Sequence, residues 1–408
     1  MLMIAYDCFK YLNYFMFQTV RQYCYLCLLL FGFLGLNAYS GTNSHLKIYT
    51  AGTPVTTQPC KPLTQSIALM GGGADVTAVY PWLIRKASEC SIYQKASPGN
   101  FLVIRSEGDG AYYNSILDLA RVASVQTLVV PDNASANDPK LDNYILNASV
   151  IWISGGDQRV YYDAWRGSRL LSLIKEKIRY ANVPLGGASA GMMLLGNYIH
   201  AGEPNHILTS TEALQDPYNP YMVLRRGFWP STKEIYEDAP YSVFKKTIID
   251  SHFDTRNRMG RTLTFLARNL ADKWSIPYKG SPQFIPKSHA IAVDGETALL
   301  IEENRAGEFL ASIIINPKVT GSAYFINPTQ IPLCAKNGKP LDSSCAGPLT
   351  FTHIQINRLI GSDTRSPNLF NLSQWKPLPY ASRVNFEKYE ININSGRLYS
   401  VGNNGKIY

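Results

Sequence analysis

"VPLGGASAGMMLLG" (183–196) is the stretch on which the reading of this chain turns. An apolar approach, Val183-Pro184-Leu185, runs into small residues around Ser189, and a second apolar run follows. Gly187 and Gly191 sit two positions to either side of the serine, where they allow a turn that side chains would block. A serine at the tip of a strand–turn–helix points its hydroxyl outward, and Gly-x-Ser-x-Gly is the pattern of such a nucleophile elbow. The same pentapeptide also serves where a helix packs closely on a sheet, so its surroundings must decide.

Upstream, "SIALMGGG" (66–73), "FLVIRSEG" (101–108), "TLVVPD" (127–132) and "VIWISGGD" (150–157) read as buried strands, and "SRLLSLIKEKIRYA" (168–181) reads as an amphipathic helix. Continuous apolar strands alternating with helices predict an α/β fold, a three-layer α/β/α arrangement around a mainly parallel sheet. Ligands in such sheets sit beyond the carboxyl ends of the strands. The glycine clusters 71–73, 155–156 and 186–187 then share one sheet edge with Ser189, which favours the catalytic reading over packing alone. After about residue 280 helix signals are scarce. "AIAVDGETALLIEEN" (290–304) reads as a hairpin around Asp294-Gly295, and "LTFTHIQINRL" as a strand. The expected division is a main domain over 66–330, a β-rich C-terminal extension over 331–408 and a polar, turn-rich linker over 41–65.

Residues 1–40 differ in character. "YCYLCLLLFGFLGL" (23–36) is an apolar run of 14 residues, short of the about 20 that a membrane span needs. With Arg21 before it and the small residues Ala38 and Ser40 after it, it reads as a signal peptide, with Met16 as a second candidate start and an uncleaved anchor as the alternative. An exported, periplasmic or secreted protein is therefore expected. Four cysteines remain beyond this segment, an even number that permits disulfides in such a compartment. Cys334 and Cys345 bracket a turn-rich loop and are the favoured pair, with Cys60–Cys90 as the other. No spacing reads as a metal site and no cofactor is implied. The net charge of +9 comes without any Lys/Arg-rich block, which argues against nucleic acid as a partner.

An active serine needs a general base. Of six histidines, His252 in "TIIDSHFDTRNRMGR" directly follows the apolar pair Ile248-Ile249, at another expected carboxyl edge. Met259, Leu263, Leu266 and Leu270 recur at helical spacing after it. Arg258 and Arg261 point away from that stripe, and Arg256 lies in the first turn. Arginines at a helix start oppose the helix dipole, so an anion nearby would account for them. A solvated basic face is the other account.

Together "GGASAG", "SGGDQ" and "DSHFDTRNRMGR", with "LMGGGAD" more loosely, resemble the cyanophycinase branch of the serine peptidase family that also contains aspartyl dipeptidases. The resemblance covers roughly 66–330. It implies a class I glutamine-amidotransferase-like fold and hydrolysis of peptide or isopeptide bonds next to aspartate. On the matching motifs Ser189 takes the nucleophile position and His252 the base. Ala190 and the Gly155-Gly156 turn would supply the oxyanion hole, and Asp157, Gln158, Arg256, Arg258 and Arg261 would bind substrate. The family's acidic member falls on Glu203 or Glu212. The implied partner is an aspartate-containing peptide or cyanophycin-like polymer, and a homodimer is left open. A membrane enters only through the N-terminal segment. An α/β-hydrolase esterase fits the elbow and the Ser-before-His order too, but gives "RNRMGR" no task. An inactive exported binding protein of the same fold is the non-enzyme alternative.

Overall fold

Apolar alternation decides which face each strand shows, and here it serves two sheets at once. The computed structural model describes residues 44–56, 60–90, 99–110, 113–203, 206–229, 243–274, 288–381 and 385–408. The segment read as a signal peptide lies outside them. The strands are β1 (Lys47–Gly52), β2 (Ser66–Met70), β3 (Asn100–Arg105), β4 (Ser124–Val129), β5 (Ala148–Ile153), β6 (Leu185–Ala188), β7 (Tyr198–His200), β8 (Leu224–Arg226), β9 (Thr247–Asp250) and β10 (His289–Val293). They continue with β11 (Thr297–Glu303), β12 (Phe309–Ile315), β13 (Ser322–Pro328), β14 (Leu333–Cys334), β15 (Leu349–Ile360), β16 (Phe370–Asn371), β17 (Lys376–Pro377), β18 (Phe386–Asn394) and β19 (Arg397–Val401).

The first sheet runs β1-β4-β3-β5-β6-β2-β11-β12-β16-β17 and the second β19-β18-β15-β13-β10-β9-β7-β8, with β14 on β15. The α/β class with a β-rich extension holds, but the strands divide differently from the single, mainly parallel sheet expected. Parallel pairing is confined to β4-β3-β5-β6-β2 in the first sheet and β10-β9-β7 in the second. β2, β4 and β5 are buried along their whole length, as strands covered on both faces must be. β19 alternates exposed and half-buried residues, as suits a solvated antiparallel edge.

Successive residues of β2 enter different cores. Ile67 and Leu69 join a core that contains Ile249, Ile291, Val293 and Phe325 of the second sheet. Ala68 and Met70 join a core with the helix Val79–Ala87 on the opposite face. The helix Arg169–Ala181 covers the parallel strands. Ser168 caps it through Leu171 N–H, and Asn182 ends it in the left-handed region. A third core joins the far face of the second sheet to the helix Met259–Ala271. The predicted stripe Met259, Leu263, Leu266, Leu270 lies wholly within that core.

Three expectations are corrected. Lys47–Gly52, inside the segment read as a linker, pairs antiparallel with β4. Residues 290–304 are not a hairpin: β10 belongs to the second sheet and β11 to the first, so residues 294–296 cross between sheets. Strands beyond 330 continue the second sheet through the β13–β15 pairing, and His45–Tyr408 is a single compact unit. Both cysteine pairs form, Cys60–Cys90 and Cys334–Cys345, with Cα–Cα separations of 6.0 and 5.7 Å.

β9 ends on a fully buried carboxylate. Asp250 accepts from Arg261 Nε (2.9 Å) and Nη2 (2.5 Å), from Arg258 Nη1 (3.2 Å) and from Thr262 Oγ1 (2.7 Å). Burial alone would raise its pKa, but the two guanidiniums outweigh it and hold the group at about 2. The cluster pins the helix Met259–Ala271 to the strand before it. Removing one partner of a buried ion pair costs about 3–5 kcal/mol. Arg261→Ala should therefore lower the urea midpoint strongly at unchanged slope, while Arg256→Ala, on an exposed side chain, should leave it near wild type.

Candidate active site

The elbow reading of 183–196 becomes specific once the backbone is followed. Ser189 has φ 50° and ψ −116°, a conformation that side-chain-bearing residues avoid and that aims its hydroxyl off the sheet edge. Its N–H donates to Met70 O (2.9 Å). Gly187 and Gly191 face one another: a Cβ on Gly187 would lie 2.6 Å from Gly191 C, and one on Gly191 would lie 2.0 Å from Ile153 O. Thus close packing and catalytic presentation, posed as alternatives by the sequence, are one arrangement.

Ser189 Oγ lies 2.8 Å from His252 Nε2. His252 follows β9 at φ 46° and donates its N–H to Gly71 O (2.8 Å). A Cβ on Gly72 would lie 2.4 Å from His252 Nε2 and 3.0 Å from Ser189 Cβ, so the second glycine of "GGG" is the space the pair occupies. Burial, followed by the positive charges of Arg256 and Arg258, lowers the His252 pKa from 6.5 to about 4. The imidazole is therefore neutral at physiological pH and able to take a proton from Ser189.

Neither glutamate expected to complete a triad reaches His252. Glu203 Oε2 accepts from Arg159 Nη1 (2.5 Å). Glu212 closes a capping box with Thr209 on the helix Ser210–Gln215 and pairs with His206 (3.1 Å). Among the described residues, no carboxylate hydrogen-bonds to the second ring nitrogen of His252. The sequence favoured glutamates a short way past the elbow, but helix capping and Arg159 satisfy both of them locally.

Around the nucleophile, a Cβ on Gly155 would lie 3.5 Å from Ser189 Cβ, which puts this turn beside the serine. Ala190 opens the helix Ala190–Met193, so its N–H has no intrahelical acceptor. Both backbone segments therefore lie next to the serine. Next to the turn lies a cavity of about 380 Å³ lined by Asp157, Gln158, Glu203, Arg256, Arg258 and Arg261, among others. The structure brings these residues to one cavity and divides their contacts. Asp157 caps the helix Gln158–Trp165 by accepting from Arg159 N–H (2.8 Å), and Gln158 Nε2 donates to Met193 Sδ (2.9 Å).

The assignment of Arg258 and Arg261 to substrate is corrected: both are buried, and the anion that their position called for is Asp250. Burial lowers the Arg258 pKa to about 9 against the pull of Asp250. Arg256 is different. It is exposed at the cavity, and among the described residues its guanidinium has no acceptor. The structural importance of Gly72 and Asp250 was missed from sequence. The run of three glycines after β2 was the visible signal for the first, and an aspartate closing an apolar strand for the second.

Residues 109–215 match the family model "Peptidase family S51". The chain is 26% identical over 165 residues to a cyanophycinase of Geminocystis herdmanii (strain PCC 6308), a match that covers 39% of this chain and 51% of that protein, about half its length. It is 20% identical over 275 residues to a cyanophycinase of Nostoc sp. (strain PCC 7120), covering 67% and 74% of the two chains. Among solved structures, a peptidase from an acI-B1 Actinobacterium aligns over 63% of this chain and 92% of its own, at 19% identity and a TM-score of 0.38. The family match spans Gly155, Gly156, Ser189 and Ala190, so the residues gathered around the serine fall within the part of the chain that is similar to peptidase family S51.

Proposed function

We propose that this protein is a serine-type peptidase that cleaves next to aspartate in aspartyl peptides or cyanophycin-like polymers. The observation that carries the reading is the 2.8 Å approach of Ser189 Oγ to His252 Nε2, made by two residues that are both held at positive φ. Ser189 Oγ would add to the scissile carbonyl as its proton passes to His252. The oxyanion would meet the N–H groups of Ala190 and the Gly155-Gly156 turn. His252 would return the proton to the leaving amine, and water would release the acyl group by the same path in reverse. Arg256 is the cation that can hold a substrate carboxylate, since Arg258 and Arg261 are committed to Asp250. Among the described residues the Ser–His pair has no bonded carboxylate, so the proposed steps are carried by the pair itself rather than by the Ser-His-Glu arrangement that the family resemblance implied. Export belongs to the same proposal. A mature protein whose N-terminus lies near Ala38 to Ser40, read by mass spectrometry, would support it, and an intact N-terminus would refute it.

Ser189→Ala should abolish hydrolysis of cyanophycin and β-aspartyl peptides without altering the unfolding midpoint, and more than about a tenth of wild-type turnover remaining would remove the serine from the mechanism. A p-nitrophenyl ester assayed in parallel separates the readings. Ester turnover without aspartyl cleavage indicates an esterase, and neither indicates a binding protein. Charged hydrogen bonds contribute about 1.5–3 kcal/mol. Arg256→Ala should therefore reduce kcat/KM on aspartyl substrates about ten- to a hundredfold while sparing the neutral ester.

The pH dependence has a definite sign. His252 must be neutral to act, so kcat/KM should be present above its lowered pKa and fall as pH drops through about 4. Arg256→Ala removes a charge that disfavours the imidazolium, so the acid limb should move upward, toward 6.5. A wild-type limb already at 6.5 would contradict the buried, arginine-flanked base.

A further inference from the structure

The helix that carries Arg261 begins without a cap of its own: Arg258 stands at its N-cap position and its side chain makes no capping hydrogen bond. Ser210 Oγ accepts from Arg261 N–H (3.1 Å), and a second acceptor comes from 149 residues away. Met259 N–H donates to Tyr408 Oη (2.9 Å), and Tyr408 Oη donates to Asn257 Oδ1 (2.9 Å). The Tyr408 ring packs edge-on against Phe253, at 5.6 Å between centroids, and against Tyr324, at 6.4 Å. Phe253 is fully buried and directly follows His252. The stretch 252–258 is a tight turn in which Arg256 N–H returns to His252 O and Arg258 N–H to Phe253 O. Asn257 is held at φ 47°, a conformation that costs free energy unless its surroundings impose it. One phenol thus touches this turn at Phe253, Asn257 and Met259.

The tail that delivers the phenol is itself fixed. β18 and β19 pair antiparallel, Lys406 N–H returns to Asn403 O, and Tyr389 Oη donates to Ile407 O (2.9 Å). We infer that Tyr408 is a positioning residue for the catalytic base, clamping the His252–Met259 turn so that the imidazole stays aligned on Ser189. This gives the strands beyond residue 330 a task in the reaction: they form the arm that presents the clamp. The inference rests on the serine peptidase reading for its consequence, and on the hydrogen bonds above for its geometry.

The test uses the full chain with Tyr408→Phe, which keeps the ring and loses both hydrogen bonds, and Tyr408→Ala, which loses the ring as well. Tyr399→Phe, on an exposed ring of the neighbouring strand, is the control. Three quantities are read: the rate at which a fluorophosphonate labels Ser189, kcat and KM on a β-aspartyl substrate, and the titration of the His252 ring by NMR. The two lost hydrogen bonds, at about threefold each, together correspond to about tenfold in rate. Tyr408→Phe should therefore label about tenfold more slowly, with kcat reduced in step and KM little changed, and His252 should titrate above its wild-type value as water reaches the ring. Tyr408→Ala should be slower still, and Tyr399→Phe should match wild type. A purely structural tail predicts a lower melting temperature with wild-type labelling and titration well below it, which would overturn the inference. If wild-type Ser189 neither labels nor turns over substrate, the peptidase reading fails instead. The NMR titration of the variants then still decides whether Tyr408 positions His252.

Discussion

Three consecutive carbonyls at the end of β2 hold the site together. Met70 O accepts from Ser189 N–H, Gly71 O from His252 N–H and Gly72 O from Glu296 N–H. These loops come from β6, from β9 and from the crossing between the sheets, and one short turn fixes all three. The turn works only with glycine at its centre. A Cβ on Gly71 would lie 1.9 Å from Asp294 O, and one on Gly72 would enter the His252 ring. Backbone hydrogen bonds across a close approach are short and directional, so main-chain geometry sets where the backbones of Ser189 and His252 lie relative to one another.

The buried Asp250 cluster plays the complementary part from behind. A carboxylate with no exposure is costly unless fully paired, and here two guanidiniums and a hydroxyl surround it. The pairing uses up two of the three arginines in "RNRMGR" and leaves Arg256 free at the cavity. The excess positive charge around Asp250 also reaches His252, where Arg256 and Arg258 help burial to keep the imidazole neutral. One group of residues therefore fastens a helix, lowers the pKa of His252 and leaves Arg256 exposed at the cavity.

Much of this was legible because it is local. The elbow at Ser189, the glycine turns on one edge, and the stripe Met259, Leu263, Leu266, Leu270 all follow from periodicity and from small residues at fixed offsets. What was not legible depends on partners distant in sequence. The run 290–304 looks like a hairpin because Asp-Gly between apolar runs is a hairpin signal, yet its two strands find better neighbours in different sheets. The arginines were read as awaiting an anion or as a solvated basic face, and nothing in "RNRMGR" says that for Arg258 and Arg261 the anion is Asp250, eight and eleven residues upstream. Glu203 and Glu212 were placed by spacing from the elbow, and spacing could not foresee Arg159 or the Thr209 cap. Tyr408 gave no signal, since a tyrosine in a polar tail is unremarkable until the tail is seen to fold back.

The division of strands also governs where the chain can tolerate changes of length. Ser189 arrives from the first sheet and His252 from the second; the turn at 70–72 joins them by hydrogen bonds, and residues 294–296 carry the chain from one sheet to the other. One inserted residue advances an extended chain by about 3.3 Å, more than the 2.8 Å that separates the two side chains. An insertion or deletion in either link would therefore move the nucleophile off its base by a full contact distance. The turn around Gly307, with open space about its Cα, lies between two strands of the same sheet and carries no such constraint. Homologues should consequently vary in length at that outer turn and keep the two links at fixed length, so that the gap pattern of the family would trace the alignment of the sheets.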